Sequence, residues 1–341
     1  MSKKFIYTAI IIVVLIGGIV GYNYYQKIFG EAIIKKTILF VNSTDTLNDI
    51  KNNLVGISKN QSFLFVAAKK NFSKPKVGRY ILEEGMSNND IVNLLRSGNQ
   101  TPIKVTFNNQ DTLEKLANRI AQQLETDTTS LLKSFKDKSF LSKNNLTEKS
   151  ILQIFIPNSY EFYWDTSAEK FRNKMLLEYH HFWNKSRLDK AKKINLSIDE
   201  VVTLASIVQK ETAQKKERPT VAGLYLNRLK KGWPLQADPT IIYSIRELKG
   251  QNYVVRRVLT ADLEINSPYN TYKNIGLPPT LIAMPDISSV DAVLNSEKHN
   301  YMYMCVNVDK LGYHAFAKTL RQHNRNAAKY HRWLNRQGVN R

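Results

Sequence analysis

The chain has 341 residues, 43% of them hydrophobic and 10% aromatic, which excludes a disordered polymer and allows two or three domains with real cores. Lysine and arginine number 50 against 29 aspartates and glutamates, a net charge of +21, so the surface suits an anionic partner: nucleic acid, anionic lipid or an anionic wall polymer. The single cysteine, Cys305, excludes an internal disulfide and a cysteine-based metal cluster. It lies in the apolar run Tyr301–Val308 and reads as a small core residue.

Residues 5–25 (FIYTAIIIVVLIGGIVGYNYY) carry no charge and as a helix would cover about 30 Å, the thickness of a bilayer's hydrocarbon. Lys3 and Lys4 precede the run and Tyr22, Tyr24 and Tyr25 close it. This predicts an uncleaved anchor with its N-terminal tip (1–4) in the cytoplasm and the body outside. A signal peptide is the rival reading, but no convincing small-x-small cleavage site follows. Residues 37–100 read as a small module: a strand at Thr37–Val41, helices at Thr46–Leu54 and Ser62–Lys70, a strand in VGRYIL, and a helix from the Ser87 cap to Gly98. Its size and order resemble a LysM-like glycan-binding module, with a structural spacer as the alternative.

From residue 101 a larger domain is expected to run to 336. A strand at Ile103–Asn109 precedes a helix at Thr112–Leu124, and a polar stretch of short helix and loops follows over 125–150. The aromatic-rich segment Phe155–Phe171 reads as core, or as the wall of a sugar groove, before a helix at Ala168–Lys185. Later, SPYNTY (267–272) and IGLPPTLI (275–282) are apolar loops of the kind that line sites. Two strands, YMYMCVNV and YHAFA, and a basic amphipathic helix at Leu320–Arg336 end the domain.

The stretch Ser197–Tyr243 carries the chemistry. Ser197 and Glu200 stand in capping-box spacing, and Val201, Leu204, Ala205 and Val208 recur at helical intervals. Glu211 follows at the edge of that apolar stripe. It is either a solvated helix-end glutamate or a half-buried carboxyl whose pKa is raised, the property of a general acid. A second helix starts at Pro219 and buries Val221, Leu224, Tyr225 and Leu229. In LQADPTIIY, Asp238 before Pro239 reads as an N-cap that also has the option of facing a cleft. Glu217, in the charged run KKER, reads as solvent-facing.

Nucleotide-binding glycine loops, a G-x-S-x-G elbow and H-E-x-x-H metal spacing are all missing from the sequence. Hydrolytic glycosidases generally use two carboxylates, whereas Glu211 has only Asp238 as a plausible second. A single-acid chemistry fits better. In lytic transglycosylation one glutamic acid protonates the glycosidic oxygen, then deprotonates the muramyl 6-hydroxyl that attacks its own anomeric carbon.

The segments LASIVQKET, VAGLYLNRL, LQADPTIIY, SPYNTYKNIGLPPTLIAMP and YMYMCVNVDKLGYHAFAKTLRQHNR occur in that order. With FIPNSYEFYW and GRYILEEGMSNNDIVNLLRSG, they resemble the MltG (YceG-like) family of membrane-anchored endolytic murein transglycosylases over about residues 75–330. The resemblance implies an α+β fold: an N-terminal transmembrane helix, a small LysM-like module and a mixed catalytic domain of the YceG-like type. It places the catalytic glutamate at the second acidic position of an E-K-E-T/A element, here Glu211, with Gln209 at the first. It implies that Asn227, Gln236, Asp238, Tyr269, Asn270 and Tyr272 line the cleft. Implied too are cleavage of nascent peptidoglycan between MurNAc and GlcNAc with 1,6-anhydroMurNAc ends, strand termination, a position on the outer side of the cell membrane beside peptidoglycan synthases, and no cofactor or metal. The alternative is a membrane-tethered peptidoglycan-binding scaffold with an inactive site. Nucleic acid is not an expected partner, because the basic residues are spread along the chain without a recognised motif.

Overall fold

A computed structural model of the chain describes residues 3–337; residues 1–2 of the expected tip lie outside them. The apolar N-terminal run forms one helix, α1 (Lys3–Phe29), with no buried residue and the length and composition needed to cross a membrane. Its last turns touch protein, where the Tyr24 ring meets Phe65 edge-on at 5.6 Å.

The chain divides into two compact units. The first comprises Met1–Val105, Ile120–Asp127 and Ser159–Ser167. In it, β1 (Thr37–Val41) pairs antiparallel with β2 (Gly78–Leu82), Leu39 opposite Tyr80. Between them lie α2 (Leu47–Leu54) and α3 (Phe63–Lys69), and α4 (Asn88–Ser97) follows. The Ser87 cap and the Gly98 stop are those the sequence predicts, Ser87 closing a capping box with Asp90 and Gly98 left-handed at φ 74°; Thr46, expected inside its helix, instead caps α2 in a box with Asp49. Every second strand residue and the inner faces of the helices close on a core that includes Val41, Ile50, Tyr80, Leu82, Ile91 and Leu95, all fully buried. Burial and the charge of Asp165 push the Tyr80 phenol up to about 12.

The short strands β3 (Ile103–Phe107) and β4 (Asn158–Phe162) form a second two-stranded sheet. Five residues of the aromatic-rich segment are thus a strand, and its buried members Phe155, Tyr160, Phe162 and Phe171 are core. Beyond α5 (Leu113–Ala121), the polar stretch holds two short helices, α6 (Thr128–Phe135) and α7 (Lys138–Lys143). The expected Ala168–Lys185 helix is shorter. It ends as α8 (Ala168–Phe182), and Asn184 caps a separate α9 (Lys185–Lys193).

The second unit is built around α10 (Ile198–Glu211). Its residues Val201–Val208 are all buried, so this is a helix enclosed on every side rather than an amphipathic one. It packs against α9, α11 (Arg218–Lys230), α12 (Asp238–Lys249) and α13 (Ile287–Leu294). Arg218, 5% exposed, donates from Nη1 to both Asp286 oxygens at 2.8 Å. Asp286 in turn caps α13, so one ion pair locks α11 to the start of α13. Gln209 holds the same corner: Nε2 donates to Met284 O at 3.2 Å, and Oε1 accepts from the Ser289 hydroxyl at 3.2 Å. The hairpin β5 (Tyr303–Val306) and β6 (His314–Ala317) follows, with α14 (Leu320–Arg336) packed on both strands. Cys305, on β5, is half-buried rather than in the core interior.

Gly223 of α11 allows the segment after α13 to lie directly on the helix. A Cβ there would run into the Glu297 carbonyl oxygen and come within 2.8 Å of His299 Nε2. Gly223→Ala is therefore expected to destabilise the protein by about 1–3 kcal/mol, read as a lower denaturation midpoint. An unchanged midpoint would contradict this packing.

Candidate active site

Glu211 is the last residue of α10. It stands at the negative end of the helix dipole and is half-buried. Its Oε2 accepts a hydrogen bond from the Tyr225 hydroxyl at 3.0 Å, and Tyr225, on α11, is fully buried. Burial raises the carboxyl's pKa. The nearby charge of Asp238 works in the same direction, and His314, the Tyr225 hydrogen bond and the Arg228 guanidinium only partly offset it. Protonation of Glu211 is thus favoured relative to an ordinary glutamate.

Around it stand two further carboxylates, each already partnered. Asp238 is not the cap that its place before Pro239 predicts. Ala237 occupies the cap position, Asp238 is the first helical residue of α12, and its side chain makes no capping bond. Instead the Tyr272 hydroxyl donates to Asp238 Oδ1 at 2.5 Å. Burial and this contact hold the Tyr272 phenol well above its usual value. Glu217 is not solvent-facing as the KKER run predicts; its side chain is 4% exposed. Its oxygens accept from the His314 backbone N–H at 2.6 Å and meet His314 Nδ1 at 3.0 Å. Burial favours the neutral form of each partner, but their mutual contacts outweigh it. Glu217 is held below, and His314 above, its ordinary pKa. Two glutamates six positions apart are therefore driven in opposite directions, Glu211 towards the acid and Glu217, held by His314, towards a fixed anion.

The predicted cleft residues divide by role. Asp238 and Tyr272 reach the electrostatic surroundings of Glu211. Asn270 is fully buried and shapes the loop that carries Tyr272: Nδ2 donates to Leu263 O at 2.9 Å and Ile265 O at 2.8 Å, and Oδ1 accepts from the Tyr272 N–H at 2.9 Å. Tyr269 is 3% exposed, with its hydroxyl 2.7 Å from Thr280 Oγ1, so it acts as loop scaffold. Gln236 is exposed and left-handed at φ 49°; its N–H donates to Thr271 O at 2.9 Å, tying the two loops together. Asn227 donates to His299 O at 2.8 Å and Tyr301 O at 3.1 Å, pinning the strand-entry segment, and no contact links it to Glu211.

The sequence reading missed Tyr225, Arg228, Glu217 and His314 as site groups. Arg228 is 6% exposed and is held by Met302 O and Leu235 O at 2.9 and 2.5 Å. Only the alternation of His314 on a strand was a local signal, and it does not reveal a partner 97 residues away. Among the described residues no group of three His, Cys, Asp or Glu side chains could hold a metal ion.

These features define a mixed α+β protein with one half-buried acid carboxyl set among paired charges. The model of the YceG-like family matches residues 39–329, and the chain belongs to that family. It is 31% identical over 290 residues to the endolytic murein transglycosylase of Bacillus subtilis, covering 80% of this chain and 78% of that protein. The endolytic murein transglycosylase of Streptococcus pneumoniae is 28% identical over 301 residues, 79% of this chain and 53% of its own length. The chain thus spans about half the length of that relative. A solved yceG-like protein from Listeria monocytogenes superposes with a TM-score of 0.57 at 30% identity, over 85% of this chain and 98% of that one.

The Glu217–His314 pair makes stability depend on pH with a definite sign. The depressed carboxylate's share is present at neutral pH and lost as pH falls through its lowered value; the raised imidazole's share is present below about 6.5 and lost as pH rises through its raised value. Glu217→Gln is expected to cost about 3 kcal/mol near pH 6, with the loss shrinking in alkali and in acid. Denaturant unfolding across pH measures it, and a difference that does not vary with pH would rule the pair out as its source.

Proposed function

We propose that this protein is an endolytic lytic transglycosylase of peptidoglycan, with Glu211 as its single acid/base. The observation that carries the reading is the half-buried Glu211 carboxyl with one phenolic donor, beside two carboxylates that are already engaged by Tyr272 and His314. The endolytic murein transglycosylase names borne by its relatives give the substrate class.

In this mechanism protonated Glu211 gives its proton to the glycosidic oxygen between MurNAc and GlcNAc as the C1–O bond breaks. The muramyl 6-hydroxyl attacks C1 and its proton passes to the Glu211 carboxylate. The product end is 1,6-anhydroMurNAc, the leaving GlcNAc carries a free hydroxyl, no water is consumed, and Glu211 is returned protonated. Tyr225 donates to Oε2 and so leaves Oε1 to carry the proton. Arg228 and His314 favour the carboxylate form that follows the first transfer.

In the same proposal α1 is a single-pass anchor, with Lys3 and Lys4 on the cytoplasmic side and the catalytic domain (101–336) outside. Residues 37–100 act as a LysM-like glycan-binding module; their strand–helix–helix–strand order and two-stranded antiparallel sheet support this. Cutting nascent strands in the interior would end their elongation, which places the enzyme beside peptidoglycan synthases.

End-group analysis of digested glycan strands by mass spectrometry tests the reaction. Wild type is expected to leave anhydro ends, and Glu211→Gln to lose about 100- to 10,000-fold in rate. Products with only reducing ends, or an active Glu211→Gln, would sink the mechanism. Tyr225→Phe removes the hydrogen bond that favours the Glu211 carboxylate, so the acid form persists to higher pH and the alkaline limb of the pH–rate profile moves upward. A downward shift would contradict the assigned role.

A further inference from the structure

Two hollows of about 310 and 220 Å³ lie on the second unit and share Asp111, Tyr243, Gln251 and Ile282, so they form one trough. The smaller is lined by Lys210 and Pro239, the chain neighbours of Glu211 and Asp238. Two separate elements, the end of α10 and the start of α12, thus each give this end of the trough a residue that is next in the chain to a group of the candidate active site. The larger hollow carries it on to Lys149 and Lys136.

The lining has a distinct chemistry. Apolar side chains contribute Leu113, Leu152, Leu281 and Ile282. The charged side chains are of both signs and stand in exposed or half-exposed pairs. Lys149 meets Glu247 at 2.7 Å and Lys136 meets Glu114 at 3.4 Å, while Lys210 and Arg246 flank Asp111 at 2.5 and 3.9 Å. Lys149 also lies over the Tyr269 ring at 5.4 Å, and Tyr269 packs on Tyr243 at 4.6 Å. Exposed pairs such as Lys149–Glu247 contribute little to stability, so a ligand's own charges exchange with them at small cost. A neutral sugar has no use for four cations and four carboxylates. A short peptide bearing carboxylates, a free amine and small apolar side chains matches all three features, and muramyl sugars carry such a peptide.

We propose that the trough is a peptide subsite that takes the zwitterionic stem peptide of a sugar bound at the cleavage site, with Lys149 and Lys136 receiving its carboxylates. This rests on the peptidoglycan reading above and adds substrate selection to it: strands that keep their stem peptides are cut in preference to strands stripped of them.

The test compares kcat/KM of the full-length protein on two preparations of the same glycan strands, one stem-bearing and one stripped by an amidase, with wild type and the Lys136→Ala/Lys149→Ala double variant. Wild type is expected to favour stem-bearing strands by about tenfold or more, and the double variant to bring that ratio close to one. Taking the ratio between the two strands with one and the same protein sample removes any loss through misfolding. A wild-type ratio of one, or an unchanged ratio in the double variant, overturns the subsite while leaving the transglycosylase reading intact. Anhydro ends missing from both strands would overturn the transglycosylase reading, and the subsite with it.

Discussion

Glu211 sits half-buried at the end of a helix whose middle is buried on every side. Water is the usual stabiliser of a carboxylate, and here it is partly replaced by one phenolic hydroxyl, the unfavourable end of a helix dipole and the charge of Asp238. The opposing cations, His314 and Arg228, reduce the effect without cancelling it. A carboxyl in this position holds its proton to higher pH than an ordinary glutamate and, once it has released it, finds partial stabilisation for the anion. Both properties are needed by a group that must act first as acid and then as base.

The rest of the second unit keeps that balance in place. The His314–Glu217 pair joins the β5–β6 hairpin to the start of α11, so a cation stands near Glu211 with its own counter-charge attached. Asn270 folds the loop that delivers Tyr272 to Asp238, and Thr271 ties that loop to the start of α12, its carbonyl accepting from the Gln236 N–H and its hydroxyl from the Ala237 N–H. Gln209 and the Arg218–Asp286 pair fix the α13 corner behind α10. Several residues that a motif reading assigns to the cleft thus act one step behind it. They hold the backbone that carries the groups in contact with the carboxyl.

Local chemistry was legible where a side chain answers to its own neighbours. The caps at Ser87 and Ser197, the stop at Gly98 and the bounds of α14 all follow from short-range spacing. Glu211 was legible as the edge of an apolar stripe, and the motif order identified the family. The failures share a cause in contacts from distant chain. Glu217 sits in a charged run yet is buried by a strand 97 residues later. Asp238 has the local signature of a cap, but a phenol 34 residues on takes its oxygen. The α13 helix, for which no periodic signal was read, is held by Gln209 and Arg218 from two other helices.

The most direct measurement is the titration of the Glu211 carboxyl itself, by carbon NMR of the full-length protein labelled at glutamate side chains and assigned by the signal lost in Glu211→Gln. The account predicts a midpoint clearly above the ordinary glutamate value of about 4.3. A midpoint at or below that value would mean that hydration or the neighbouring cations outweigh burial, and that Glu211 is not the proton donor.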